Sequence, residues 1–150
     1  MSDELKVTAT RLTDVVVQLQ ELGAGARSRL AMAIGEQAAL FQQVVAEEKL
    51  SGQVLNQVTG TLRDSLFTEV VEDASGIKAI VGVNTPYARI HEYGGVIEPV
   101  NKLALKFQIG GKWVVVKRVV MPERSYLRST LAERADEIRA SLTRAVAGAT

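Results

Sequence analysis

Apolar positions recur at helical spacing through the first third of the chain. Leu12, Val15, Val16, Leu19 and Leu22 share one helical face. Gly23-Ala24-Gly25 follows, and each glycine weakens a helix by roughly 1 kcal/mol relative to alanine, so a break or kink is expected there. Beyond it, Leu30, Ile34, Ala38, Phe41 and Val45 form a second stripe. That helix is expected to end near Lys49, a cation suited to the carbonyl end of a helix, before Ser51-Gly52.

The period changes in the middle of the chain. Thr59-Gly60-Thr61 opens a short helical turn that takes in Asp64 and Ser65. Leu66 to Val71 and Ile77 to Val83 are β-rich, and the polar turn Glu72-Asp73-Ala74-Ser75-Gly76 between them predicts a hairpin. Asn84-Thr85-Pro86 stops the second strand, because proline has no N–H to donate to a ladder. Tyr87 to Tyr93 reads as one or two helical turns ended by Gly94-Gly95. A second hairpin runs from Leu103 to Ile109, turns at Gly110-Gly111 and returns from Lys112 to Val120, where Met121-Pro122 closes it. The last segment is the clearest helix. Leu127, Leu131, Ile138, Leu142 and Val146 lie on one face, Arg128, Glu133, Arg134, Glu137 and Arg144 fall largely off it, and Ser125 is the candidate N-cap.

This order predicts an α+β domain in which the two hairpins form one antiparallel four-stranded sheet, packed against N-terminal helices and a C-terminal helix. Residues 1–150 fit one domain, with a helical region over 1–50 and an α+β core over 51–150. Hydrophobic residues make up 47% of the chain, enough for a core and too many for a disordered polymer. Aromatics are only 5%, so aliphatic residues must supply that core. No apolar run approaches the roughly 20 residues of a bilayer span. The acidic start Met1-Ser2-Asp3-Glu4 does not resemble a signal peptide, so the cytosol is the expected site of synthesis.

The net charge of +1 conceals an asymmetry. Up to residue 75, six Lys/Arg face eleven Asp/Glu, a net of −5; from Gly76 onward, twelve face six, a net of +6. Such a split fits two solvated faces of opposite sign, a nucleic-acid face, or a self-complementary assembly in which the acidic side of one copy meets the basic side of the next.

Catalytic signals are scarce. With no cysteine and one histidine, thiolate chemistry and the usual zinc ligand sets are not expected, and neither a metal nor a cofactor is predicted. There is no phosphate-binding loop and no nucleophile elbow. His91-Glu92 begins like a zinc-protease helix but lacks the second histidine, and adjacent helical residues point in different directions. The chain is therefore not expected to be an enzyme, and His91 is expected to cap a helix end or bond locally. Arg63, Arg89, Arg124 and Arg128 form no cluster in the sequence. The densest basic stretch is the second hairpin, with Lys102, Lys106, Lys112, Lys117 and Arg118 and the aromatics Phe107 and Trp113. Three readings of that ribbon stay open: a charged hairpin that resists edge-to-edge aggregation, a protein contact, or a ribbon lying along DNA.

Three segments, Thr59-Gly60-Thr61-Leu62-Arg63-Asp64-Ser65-Leu66, Tyr87-Ala88-Arg89-Ile90-His91-Glu92-Tyr93-Gly94-Gly95 and Met121-Pro122-Glu123-Arg124-Ser125-Tyr126-Leu127-Arg128, appear in this order with a Gly-Gly hairpin before the third. Together they resemble the small neck or tail-completion proteins of tailed bacteriophages and prophages. The resemblance covers roughly Ser51 to Leu142, and it departs at Ser125, where that family often carries a second proline. It rests on Gly60, Leu62, Arg63, Tyr87, Glu92, Gly94, Gly95, Pro122, Arg124 and Leu127. It implies a structural virion protein that forms a ring, six-fold by expectation, at the head-proximal end of the tail. Its partners would be copies of itself, the tail-tube protein and head-completion or connector proteins. The genome would pass through the lumen without sequence-specific contact, and no membrane is involved. Lys102, Lys106, Lys112, Trp113, Lys117 and Arg118 are the expected inter-subunit contacts. Glu92 is expected to pair with Arg89 one helical turn away, or with Arg63 or Arg124 from another segment. The alternative is a nucleic-acid-binding module using the basic hairpin 102–118.

Overall fold

The computed structural model describes residues 6–10, 14–18, 23–51, 61–74 and 76–148. Gly60, Thr59, Gly52, Leu12, Leu19, Leu22 and the acidic N-terminus lie outside those residues. The described elements are strands β1 (Lys6–Thr10) and β2 (Asp14–Gln18), helix α1 (Ala24–Val44) continued by a π-helical turn (Val45–Lys49), helix α2 (Thr61–Asp64), and strands β3 (Leu66–Asp73) and β4 (Gly76–Val83). Helix α3 (Ala88–Tyr93) follows, then strands β5 (Gly95–Ile97), β6 (Leu105–Ile109), β7 (Lys112–Val116) and β8 (Val119–Met121), and finally helix α4 (Tyr126–Ala147). The class is α+β, as expected. The chain divides into two compact units, one holding β1–β4, α1, α2 and α4, the other spanning Pro86–Ser125.

In the first unit a four-stranded antiparallel sheet runs in the order β1-β2-β4-β3. The first hairpin forms as expected, its register running from Leu66↔Val83 to Asp73↔Gly76. Two expectations fail. The apolar stripe around Val15 and Val16 is strand, not helix: β2 pairs with β1 from Lys6↔Gln18 to Thr10↔Asp14, and with β4 from Asp14↔Ile80 to Val17↔Ile77. Three consecutive valines explain it, since β-branched side chains lose χ1 freedom in a helix and suit a pleated ladder. The two predicted hairpins also do not share a sheet. Strand β2, from the segment expected to be helical, takes the side of β4 opposite β3 and supplies the extra hairpin, while the second hairpin forms a separate two-stranded sheet.

Gly23 precedes α1 in extended backbone (φ −62°, ψ 155°), so the glycine pair starts this helix instead of kinking a longer one. The second stripe behaves as read. Leu30, Ile34, Ala38, Phe41 and Val45 are all buried, together with Ile77, Ala79 and Val81 of β4 and Leu127, Leu131, Ile138 and Leu142 of α4. Alternation along β4 and 3.6-residue periodicity along the helices converge on one core. Helices α1 and α4 run antiparallel, tied by Arg29 Nε donating to the Ala145 carbonyl (3.0 Å), Gln37 Nε2 to Ser141 Oγ (3.1 Å) and Lys49 Nζ to Glu133 Oε1 (2.9 Å). Gln42 of α1 meets β3 at the Leu66 carbonyl and the Thr68 hydroxyl. A cavity of about 30 Å³ remains in this core, lined by Ile34, Gln37, Ala38, Phe41, Ala79, Val81, Leu131, Ile138 and Leu142.

Gly35 lies inside α1, and a Cβ built there meets nothing within 4 Å. Gly35→Ala removes backbone freedom from the unfolded chain at no steric cost. It is expected to stabilise the fold by about 0.5–1 kcal/mol and to raise the thermal midpoint by about 2 °C, read by differential scanning calorimetry.

Candidate assembly surface

The second and third sequence motifs meet in the Pro86–Ser125 unit. Helix α3 ends at Gly94, whose N–H donates to the Ile90 carbonyl at 2.8 Å and whose backbone (φ 68°, ψ −174°) is open essentially only to glycine. Gly95, at φ 146°, carries the chain into β5, which pairs with β8 from Gly95↔Met121 to Ile97↔Val119. Beyond Pro122, the Arg124 N–H donates to the His91 carbonyl (3.0 Å) and the Ser125 N–H to the Glu92 carbonyl (2.9 Å). The segment before α4 is thus stitched to the end of α3. The pairing of β5 with β8 corrects the expectation of one strand from Lys112 to Val120. The strand bends at Lys117-Arg118, and only its far part reaches β5. Ser125 directly precedes α4 but sits at φ 47°, away from the extended backbone of an ordinary N-cap.

Glu92 is completely buried, as is Tyr126 at the start of α4, and Leu127 is nearly so. Leu62 packs half-buried against the same core cluster as Leu127, while Arg63 and Pro122 are exposed. Tyr87 is exposed and meets His91 edge-to-face, with ring centroids 6.1 Å apart. The Arg89 guanidinium lies 6.0 Å from the Tyr93 ring. His91 Nδ1 is buried without a hydrogen-bond partner among the described residues. Burial first, and the Arg124 guanidinium second, hold the imidazole below its ordinary value of 6.5. The folded protein therefore resists protonation at His91 more than the unfolded chain does. This contribution to stability is complete above the unfolded pKa and is lost as pH falls through the lower folded one. His91→Gln is expected to flatten the decline of the thermal midpoint just below pH 6.5; an unchanged slope would assign that decline to other groups.

The second hairpin has two unlike faces. Its register, from Leu105↔Val116 to Ile109↔Lys112, puts Leu105, Phe107, Val114 and Val116 on one side, all half-buried. Lys106, Gln108, Trp113 and Val115 occupy the other side, all exposed, and Lys106 Nζ lies 4.6 Å from the centre of the Trp113 ring. Gly110 and Gly111 turn the ribbon at φ 56° and 78°, the positive pair that a tight two-residue hairpin requires. Lys102, Lys112, Lys117 and Arg118 are also exposed. Of the predicted contact residues, Lys106, Lys112 and Trp113 stand on the two strands, with Lys112 on the side opposite Lys106 and Trp113, while Lys102, Lys117 and Arg118 flank the ribbon at its open end. The structure adds exposed apolar positions that the sequence pattern does not single out: Val96 and Val120 on the β5–β8 pair, and Phe67 and Val70 on β3. Their signal is weak because exposure on a strand depends on which neighbour covers it. Only Ala88 and Glu92 are buried in the whole Pro86–Ser125 unit. A solvent-exposed indole among cations, on a ribbon with almost no core of its own, has the composition of an interface anchor.

Among the described residues no group of three acidic or histidine side chains is placed to hold a metal ion, and no helix is long and apolar enough to cross a membrane. No curated protein and no solved structure matches the chain. The sequence pattern of the phage virion morphogenesis family matches residues 38–147, a stretch that contains the end of α1, all of α4, the β3–β4 and β6–β7 hairpins and all three motif segments. With most of its length inside that match, the chain belongs to the phage virion morphogenesis family.

Proposed function

We propose that this chain is a structural component of the phage neck. Copies join into a ring, six-fold by expectation, at the head-proximal end of the tail, where they complete the tail and offer a surface to the head. The observation that carries the reading is the exposed cationic and aromatic ribbon Lys102–Arg118 on a unit that buries only Ala88 and Glu92. A ribbon of that kind is stable as an assembly element and marginal alone. The family membership supports a role in building the particle. The motif residues support it by doing structural work: Gly94 and Gly95 shape the exit from α3, and Leu62 and Leu127 enter the core. Closing a ring takes a heterologous interface, in which unlike surfaces of one subunit meet.

The test is a deletion of the gene in its phage, complemented in trans. Loss of the protein is expected to leave filled heads and tails unjoined in electron micrographs, and antibody–gold against the protein should label the neck of complete particles. Normal particles without it would overturn the proposal. A nucleic-acid module, which the five cations of the ribbon also suit, predicts retention on duplex DNA at low salt and release as salt rises.

A further inference from the structure

The four-stranded sheet ends at β3, and among the described residues no strand lies beyond it. This open edge carries one sign of charge. From Asp64 through Asp73 the chain has four carboxylates (Asp64, Glu69, Glu72, Asp73) and no Lys or Arg. Glu72 is engaged by Arg27, whereas Glu69 is exposed between Phe67 and Val70, themselves 41% and 42% exposed. The ribbon Lys102–Arg118 has the opposite composition, five cations and no carboxylate, and its two strands form a sheet with both edges open among the described residues. On it, Trp113 and Val115 are each 62% exposed.

From this pairing we infer that the β6–β7 ribbon of one copy docks along β3 of a second copy of this chain, extending its sheet. The inference rests on the ring reading and names the surface that receives the ribbon. Three features select that partner. Strand addition satisfies backbone groups on both open edges. Cations of the ribbon come opposite Glu69 and its neighbours, and opposite charges across a strand pair are favourable where like charges are not. The same charges oppose the alternatives, since β3 against β3 sets carboxylate against carboxylate and ribbon against ribbon sets lysine against lysine. Only the unlike pairing remains, and an unlike pairing propagates head to tail. The other edge of the sheet, β1, is Lys-Val-Thr-Ala-Thr, with a cation and no carboxylate, so it is the poorer target.

The absence of cysteine from the chain makes the test specific. Two single variants of the full chain, Val70→Cys on β3 and Val115→Cys on β7, are purified separately and oxidised alone and as an equimolar mixture. Disulfide-linked dimer is expected at least tenfold more in the mixture than in either variant alone. Equal linkage in the separate samples would indicate a symmetric contact and overturn the inference. Charge reversal supplies the second arm. Asp64→Lys/Glu69→Lys and Lys112→Glu/Lys117→Glu, each with the thermal midpoint of the wild type, are expected to be monomeric by native mass spectrometry where the wild type is oligomeric. Mixing the two, or combining all four changes in one chain, should restore the oligomer. A wild-type chain that stays monomeric, or reversed variants that assemble normally, would overturn the docking. The neck assignment is judged separately, by the gold labelling and the deletion phenotype.

Discussion

Phe41→Ala should lower the stability of the protein by about 4–5 kcal/mol, the upper part of the range for removing a buried aromatic side chain. Phe41 is 4% exposed and stands in the core where α1 faces β4 and α4. Three terms add. The transfer energy of the ring is lost. The ring's contacts with its neighbours go unreplaced, because a packed interior closes around a void only in part. The ring also borders the existing cavity of about 30 Å³, so truncation enlarges one connected void instead of opening a small isolated one. Domains of this size are held by only about 5–15 kcal/mol in total, so a large share of the folded state's margin would go. Leu40, one residue earlier and 43% exposed, is the control: Leu40→Ala should cost less than about 1 kcal/mol. Urea unfolding followed by circular dichroism measures both. A loss below about 2 kcal/mol at Phe41 would mean that α1 and α4 collapse onto the void.

Gly94→Ala is expected to have the second-largest effect, and to act on the Pro86–Ser125 unit. A Cβ at this position would stand 2.7 Å from the Glu123 nitrogen, 2.8 Å from the Met121 carbonyl oxygen and 3.0 Å from the Pro122 carbonyl carbon. All three are backbone atoms, so no side chain can swing aside. The backbone region at φ 68° and ψ −174° costs a non-glycine residue about 1–3 kcal/mol, and overpacking adds a further 1–3 kcal/mol or so. Relief requires moving the Met121–Glu123 segment, which carries β8 and leads to the Arg124 and Ser125 hydrogen bonds. Hydrogen exchange at Arg124 and Ser125 is therefore expected to accelerate together with a fall in thermal midpoint. Gly110→Ala separates the two causes. Gly110 also has positive φ, at 56°, but a Cβ there meets nothing within 4 Å, so only the backbone term applies. Equal losses at Gly94 and Gly110 would rule out the clash.

How much of this could be read from the sequence varies by segment. Helices α1 and α4 were legible because each carries a long apolar stripe at 3.6-residue spacing, and the same stripes fill the core. The β3–β4 and β6–β7 hairpins were legible because alternation on both arms brackets a turn that ends in or consists of glycine. The apolar stripe was misleading at Val15 and Val16, where β2 forms, because apolar residues that recur every three or four positions also include pairs two apart, such as Val15 and Val17, and a short run does not distinguish the periods. Strand β5 was illegible for a different reason. Three residues have no period of their own, and Gly95–Ile97 is strand only because β8 lies alongside it.

The candidate site divides in the same way. Its composition, five cations with Trp113 on a glycine-turned ribbon, is a property of the linear chain and identifies the segment without coordinates. So is the order of the three motifs, which points to the family. The sequence is enough for such features because local backbone preference and side-chain chemistry belong to each residue and its near neighbours. Which strands share a sheet, which edge is left open, and that Gly94 faces the backbone of Met121–Glu123 are set by residues far apart in the chain. Strand β2 takes the side of β4 opposite β3, while β6 and β7 pair only with each other in a separate sheet. Long-range pairings compete for a limited number of open edges, and the winner is decided by the packing of the whole fold.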